Sequence, residues 1–273
     1  MFSINTNVQA IRAQRSLSKV STDLSTTFQR LSSGVRINSA ADDAAGLSIA
    51  TRMSAQIRGL NMAARNANDA ISLVQVAEGA LDETTNALQR MRELAVQSAN
   101  GTLTTTDRTN LNTEFTQLAS EINRISSATQ YNGKTLLSVG GYSGKIQVGA
   151  YSGQKITFQL YSATATALQV KTLSIGGNSA LPAQSAISVL DNALNSVSSM
   201  RATLGAVQNR FESVIANLNN QAEQQTAAQS RIMDADIASE TANLTRLSIL
   251  QQAGTAILAQ ANQQPALALS LLG

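Results

Sequence analysis

The chain has 273 residues, enough for one or two domains with a hydrophobic core, and it contains neither cysteine nor histidine. These absences exclude disulfides, most zinc sites and nucleophiles activated by histidine, and they leave carboxylate chemistry as the enzymatic option. The net charge of +3 is too small to indicate a nucleic-acid partner.

The first 33 residues are predicted to form an amphipathic helix with a thin apolar stripe. The stripe consists of Ile4, Val8, Ile11, Leu17, Val20, Leu24, Phe28 and Leu31. A longer helix is expected to begin near Ser39, because Ser39 and Asp42 fit a capping box. Asp43 adds negative charge near the positive end of that helix dipole.

This second helix is predicted to end at Asn100–Gly101, and its apolar residues follow a seven-residue repeat. One unbroken column consists of Met53, Leu60, Ala67, Val74, Leu81, Leu88 and Ala95. A companion column opens with Ile57, Ala64 and Ile71. Such spacing is typical of a long helix packed along a coiled-coil seam.

A shorter helix is predicted next, ending at Asn132–Gly133. Its apolar positions are Leu111, Phe115, Leu118, Ile122 and Ile125. The period then changes to two, which predicts a β-hairpin near 144–161 with Ser152–Gly153 at its turn. The alternating residues are Ile146, Val148, Ala150, Ile156, Phe158 and Leu160. Leu173 and Ile175 are expected to add a little more strand.

Helical spacing returns after Pro182, with a heptad column at Leu190, Val197, Leu204, Phe211 and Leu218. The last segment, 234–273, again has a thin apolar stripe, and we expect it to pair with the first segment. Formal charges sum to +2 over residues 1–43 and to −2 over residues 234–273, which favours this pairing. Alone, helices with so little apolar surface to bury would be marginal in water.

The chain is therefore expected to have a mainly α fold, with long antiparallel helices in a coiled-coil-like bundle and a small β-hairpin element. A terminal-helix domain is predicted at 1–44 plus 234–273, and a helical domain with the hairpin at 45–179 plus 185–233. A short connection is predicted at 176–186. We expect no membrane insertion, since no segment is apolar enough to span a bilayer, and no cleaved signal peptide.

Several segments resemble the bacterial flagellins. Residues 31–50 read LSSGVRINSAADDAAGLSIA and match the family's N-terminal signature closely. The opening INTN at 4–7, the run RMRELAVQSAN at 90–100 and the ending from QANQ at 260–263 to Leu271–Leu272 agree with it. The resemblance covers essentially the whole chain in order, whereas the large variable region of many flagellins is replaced by the 176–186 connection.

The resemblance implies a structural subunit that polymerises into the flagellar filament for motility, without catalysis, cofactor or bound metal. It implies terminal helices that are disordered in the free subunit and line the inner tube of the filament, inside an outer tube of long helices. The residues expected to carry polymerisation are Ile4, Val8, Ile11, Leu244, Leu247 and Leu258. It also implies extracellular localisation after export by the flagellar type III pathway.

The implied partners are further copies of the chain, an export chaperone, the filament cap and the hook–filament junction proteins. A Toll-like receptor of the host is a further partner implied by the resemblance. The family's recognised positions match this sequence at Gln89, Arg90, Leu94 and Glu114. Considered without the resemblance, Leu94 flanks the helical seam and the three polar residues form a solvated face.

Other chemical interpretations are weaker. Gly133–Lys134–Thr135 and Gly144–Lys145 lack the first glycine of a phosphate-binding loop. Arg12, Arg15 and Lys19 share a helix face that could meet an anionic surface, but a solvated face or a subunit contact explains them better. Two alternative functions remain, a hook–filament junction protein and a surface-exposed adhesin that holds glycans or host receptors on the hairpin face.

Overall fold

A computed structural model describes residues 6–270 of the chain, with side chains described through residue 263. Over these residues the fold is mainly α and includes a small β-hairpin, as predicted from the sequence. The helices are α1 (Val8–Ser33), α2 (Ala44–Ser98), α3 (Thr105–Ala128), α4 (Leu181–Met233) and α5 (Ile237–Ser270). The strands are β1 (Gln130–Tyr131), β2 (Lys134–Thr135), β3 (Tyr142–Gln147) and β4 (Lys155–Leu160).

The chain divides into two compact units. We call Ile57–Ala222 the central unit, and the residues through Gln56 together with those from Glu223 onward the terminal unit. Both divisions fall inside long helices, α2 and α4. The borders expected from the sequence, at 44 and 234, lie close to helix ends and stay a prediction.

The heptad columns of α2 and α4 form the centre of the core. From Leu60 to Ala95, every member of the α2 column is at most 5% exposed, and so is every member of the α4 column. The helices run antiparallel, since Arg201 of α4 pairs with Asp82 at 2.9 Å and Arg92 of α2 pairs with Asp191 at 2.7 Å. The coiled-coil-like packing predicted from the sequence is therefore confirmed.

The predicted companion column of α2 is less deeply buried than a second column of the same helix, although Ala64 and Ile71 pack against buried clusters. Ile57, Ala64 and Ile71 are only half-buried. The column that is buried in the core consists of Ala63, Ala70, Ala77, Thr84, Met91 and Ser98. Its small side chains allow close helix packing, and the Thr84 hydroxyl donates to the Ala80 carbonyl of its own helix at 2.8 Å.

The start of α2 also differs from the prediction. The helix begins at Ala44, and the Asp43 carboxylate accepts a hydrogen bond from the Gly46 amide at 2.8 Å, as a capping residue does. Ser39 and Asp42 form a turn before the helix, in which Asp42 accepts from the Ser39 amide at 2.8 Å. The prediction of a helix start near Ser39 is wrong because the S-x-x-D pattern closes this turn instead.

Asn132–Gly133 does not end α3, which stops at Ala128. Both residues have positive φ angles, 49° and 75°, and they connect β1 to β2 in a tight antiparallel turn. The helix-stop prediction is wrong because the same dipeptide is also the preferred connection of a two-residue hairpin.

The predicted hairpin is formed by β3 and β4, which pair antiparallel with Ile146 opposite Ile156 and Gly144 opposite Phe158. Ile156, Phe158 and Leu160 are buried on its inner face, where the Phe158 ring meets Phe211 of α4 edge-on at 6.0 Å. This aromatic contact attaches the hairpin to the helical core.

The strand expected at Leu173 and Ile175 is absent from the described structure, in which this segment is irregular. Ile175 is buried there, and its amide donates to the Asn112 side chain at 2.8 Å. Its carbonyl accepts from the Ser98 hydroxyl at 2.5 Å. Side chains from two helices therefore satisfy the backbone groups that a neighbouring strand would otherwise satisfy.

Candidate functional site: the exposed apolar surface of the terminal helices

Helices α1 and α5 pack against each other in the terminal unit. The side-chain oxygen of Asn7 caps α1 by accepting from the Ala10 amide at 3.0 Å, and Gly34 ends the helix with φ of +72°. Asp236 starts α5, accepting from the Ala238 amide at 3.0 Å. Local capping therefore fixes both ends of α1 and the start of α5.

Hydrogen bonds hold this pair at both ends. The side-chain amide of Asn7 donates to the backbone carbonyl of Ala261 at 2.6 Å. At the other end the Arg36 amide donates to the Met233 carbonyl at 2.6 Å, and the Ala235 amide donates to the Gly34 carbonyl at 3.0 Å. The bonds fix an antiparallel register in which the start of α1 lies beside the C-terminal half of α5.

Between these ends, the two helices approach closely at one glycine. A side-chain carbon added at Gly254 of α5 would lie 3.3 Å from Leu17 Cδ1 of α1. Several other apolar residues of this stretch, Leu24, Leu244 and Leu247 among them, are half-buried. Among the described residues of the terminal unit, the fully buried apolar side chains are Ile37, Ala50 and Ala261.

A second group of large apolar residues on α1 and α5 is exposed, each by 47% or more. We call it the exposed terminal set, and it consists of Val8, Ile11, Phe28, Ile237, Ile249, Leu250 and Ile257. Apolar side chains of this size are stabilised when water is removed from them, by roughly 1.5–3 kcal/mol for complete burial of each. The terminal helices therefore present apolar surface that has no partner within the described chain.

Five of the six residues expected to carry polymerisation fall into two environments. Leu244, Leu247 and Leu258 are half-buried, whereas Val8 and Ile11 belong to the exposed terminal set. Ile4 lies outside the described residues. Ile249 and Leu250 were missed by sequence reasoning, although their position close after Leu247 was a signal.

The four residues of the expected receptor site lie on α2 and α3. The Arg90 guanidinium donates to Glu114 and to Glu93, both at 2.9 Å, and these hydrogen bonds raise the pKa of Arg90, with that from Glu114 having the larger effect. Gln89, Arg90 and Glu114 are exposed, whereas Leu94 is completely buried in the core. Leu94 can therefore support this surface but does not form part of it.

Three aspartates near the helix ends have structural roles in this fold. Asp43 and Asp236 cap helices, and Asp234 accepts from the Ser230 hydroxyl at 2.6 Å. Within the described residues, no cluster of three metal-ligating side chains is present, and no helix is long and apolar enough to span a membrane. Lys134 and Lys145, from the two near-matches to a phosphate loop, lie in strands β2 and β3.

Comparison with protein families gives two matches in sequence order. Residues 4–140 match the bacterial flagellin N-terminal helical region, and residues 187–272 match the bacterial flagellin C-terminal helical region. The matches leave only the hairpin, the irregular segment and the start of α4 between them.

Individual proteins agree over nearly the full length. The flagellin of Halalkalibacterium halodurans is 50% identical, with 98% of this chain and 99% of the relative covered. The flagellar filament 33 kDa core protein of Treponema phagedenis is 43% identical, with 98% and 99% covered. Among solved structures, Bacillus cereus flagellin is 34% identical with a TM-score of 0.50, covering 60% of this chain and 94% of that one.

Proposed function

Because the chain belongs to the bacterial flagellin family, in the short form that lacks large outer domains, we propose that its terminal helices α1 and α5 drive its polymerisation. Flagellins are the structural subunits of the flagellar filament, so the chain is an extracellular filament subunit that assembles with copies of itself. Membership of the family does not by itself identify which surfaces of the chain carry that assembly.

The observation that carries the proposal is the exposed terminal set. Exposed apolar residues on both terminal helices occur in the unit with the fewest fully buried apolar side chains. Packing against neighbouring subunits would bury this surface and order helices that are marginal alone. In this proposal, the terminal unit forms the inner tube, and the central unit, with its own core, forms the outer one.

The first test replaces exposed terminal residues without disturbing the pair. In the Ile249→Ser/Ile257→Ser variant, soluble subunits should keep their helix content but fail to elongate filament seeds. Val76→Ser/Val96→Ser is the matched control, since both valines are exposed on α2 of the central unit, by 41% and 51%. Equal elongation by both variants, measured by electron microscopy, would contradict the assignment.

The second test is a truncation. Removal of residues 250–273 deletes Leu250, Ile257, Leu258 and Ala261, and with Ala261 the contact that holds Asn7. The remaining chain should be soluble and partly folded through its central unit, but unable to polymerise. Normal filaments from the truncated chain would show that the inner tube lies elsewhere.

The same premise supports a set of transient partners. We propose that the chain leaves the cell by the flagellar type III pathway. An export chaperone would cover the apolar C-terminal segment before assembly. The filament cap and the hook–filament junction proteins would contact the subunit at the two ends of the filament. Exposed apolar surface on α5 supports the chaperone contact, because such surface aggregates when it is unprotected.

Recognition by a Toll-like receptor is proposed through the surface formed by Gln89, Arg90 and Glu114, with Leu94 beneath it. The Arg90–Glu114 pair gives this surface a fixed shape across two helices. A receptor reporter assay on monomers should respond to the native chain, and Arg90→Ala should weaken the response. No response to native monomer at high dose would end this assignment.

We also propose that the chain has no enzymatic activity, since its family is structural. The junction-protein alternative has less support than the filament subunit, because the relatives matched over their full length are flagellar filament proteins.

A further inference from the structure

One stretch of the central unit is free of negative charge. No aspartate or glutamate occurs between Glu121 and Asp191, whereas four of the five lysines of the protein lie there. These lysines are Lys134, Lys145, Lys155 and Lys171, and all four are exposed. All four tyrosines of the chain lie in the same stretch, between residues 131 and 161. The surface of this stretch is therefore both basic and aromatic.

The β3–β4 hairpin places two of these lysines on one face. Lys145 stands opposite Thr157 and Lys155 opposite Gln147, and their neighbours along the strands point to the other face. That other face is buried against the core through Ile156 and Phe158. Lys145 and Lys155 are diagonal neighbours across the two strands, so their side chains project from the same exposed face, with roughly 7–8 Å between them.

The charge on this face is not neutralised within the described chain. In the part of the protein whose side chains are described, no carboxylate oxygen lies within 4.0 Å of a lysine nitrogen, and all seven ion pairs there use arginine. Tyr161 follows β4 directly, is 57% exposed and continues the alternate outward positions Lys155, Thr157 and Gln159, so it lies further along the same face than the two lysines. An acidic partner would gain from both features.

We propose that the outer face of the β3–β4 hairpin, with Lys145, Lys155 and Tyr161, is a docking surface for an extracellular acidic polysaccharide. Lysines are compact point charges that pair with single carboxylate or sulfate groups along a polymer. The exposed ring offers an apolar surface with a polar tip, suited to the mixed faces of sugar rings. A flagellar filament lies outside the cell, where acidic polysaccharides are encountered.

The experiment measures retention of the full-length monomer on immobilised heparin and on immobilised polygalacturonate, with neutral dextran as the blank. The native chain should bind both acidic polymers and elute as salt is raised, since the contact is electrostatic. Lys145→Gln/Lys155→Gln should weaken binding about tenfold or more at low salt, given the usual contribution of each lysine near an anionic surface. Retention of the native chain on neither acidic polymer would overturn the proposal.

A matched control distinguishes binding through this surface from a general effect of the net charge. Arg12→Gln/Lys19→Gln removes two exposed positive charges from α1, so both double variants lower the net charge from +3 by the same amount. The α1 variant should bind almost as the native chain does. If both variants lose binding equally, or if neither does, the hairpin face is not the docking surface.

Two further measurements test the nature of the partner. Tyr161→Phe should keep the affinity and Tyr161→Ala should lower it several-fold, whereas an unchanged Tyr161→Ala would contradict contact with sugar rings. A DNA duplex should compete weakly with the bound polysaccharide. Stronger binding to DNA than to both polysaccharides would reject the saccharide assignment in favour of a nucleic acid.

Discussion

Arg108 is the charged residue of the central unit that is most completely buried, with 6% of its surface exposed. Its guanidinium donates to the Ser98 and Asn100 carbonyls, each at 3.0 Å, at the C-terminal end of α2. The Ser98 carbonyl, in the last turn of the helix, has no partner further along it, and a positive charge is favourable at this end of the helix dipole. One side chain of α3 therefore completes the end of the longest helix.

Replacing Arg108 tests this role. Arg108→Met keeps the apolar stem but removes two charge-assisted hydrogen bonds, so the free energy of unfolding should fall by about 1.5–3 kcal/mol. Urea unfolding of monomers measures the change. Arg124→Met is the control, because Arg124 is exposed and pairs with Glu121 on its own helix, and it should have little effect. An Arg108→Met protein as stable as the native one would contradict the capping role.

Two aspartates, Asp42 in the turn before α2 and Asp107 in the capping box of α3, give the stability of the fold a dependence on pH. Hydrogen bonds from Ser39, first from its amide, lower the pKa of Asp42, and those from Thr104, first from its hydroxyl, lower the pKa of Asp107. A carboxylate with a lowered pKa in the folded state contributes stability above its unfolded pKa and loses it as the pH falls through the folded one. Stability should therefore decline below about pH 4.

The check is thermal unfolding of monomers between neutral pH and pH 2. Asp107→Asn cannot ionise, so its decline in stability below pH 4 should be shallower than that of the native chain. An identical slope in the variant would show that the Thr104–Asp107 capping box makes no contribution to acid sensitivity.

The pairing of α1 with α5 depends on how closely the two helices approach. Gly254→Val would place methyl groups against Leu17 and should separate the helices, lowering the temperature at which filaments dissociate. Gly205→Val is the control, since Gly205 lies in α4 with no neighbouring atom within 4 Å of the added carbon. Because valine favours helix more than glycine does, a loss seen only at position 254 must come from packing.

The same elements show what the sequence could predict. The α2 and α4 columns were predictable because large apolar residues repeat every seven positions, and the hairpin because its residues alternate. The buried column of α2 that contains Thr84 and Ser98 was not predictable, because small and hydroxyl-bearing side chains do not stand out in an apolar pattern. Nor was the irregular path of Ile175, which depends on Asn112 and Ser98, both distant in sequence.

For the candidate site, the sequence identified the terminal helices but not the environment of each residue. A thin stripe on a marginal helix does not tell which apolar residues face the partner helix and which face outward. Leu244 and Ile249 are both apolar and five positions apart, yet one is half-buried and the other is 60% exposed. The register set by the Asn7–Ala261 hydrogen bond decides between them, and it joins opposite ends of the chain.

At the scale of the whole molecule, the two units differ in how much apolar surface they bury by themselves. The central unit has a continuous core from Ala67 to Phe211, whereas the terminal unit keeps few fully buried apolar side chains among its described residues. Regions with few buried contacts open with a low free energy. The free energy of local opening should therefore differ between the two units in the free subunit, and the difference should become smaller in the filament.

Hydrogen exchange measures this difference directly. In dilute monomers, amides of α1 and α5 should exchange orders of magnitude faster than those of α3, because local opening of the terminal pair exposes them without unfolding the core. In filaments, α1 and α5 should become strongly protected while α3 changes little, since burial by neighbours stabilises only the terminal helices. Terminal helices that are as protected as α3 in the monomer would mean that they are ordered before assembly, and the energetic link between folding and polymerisation would be lost.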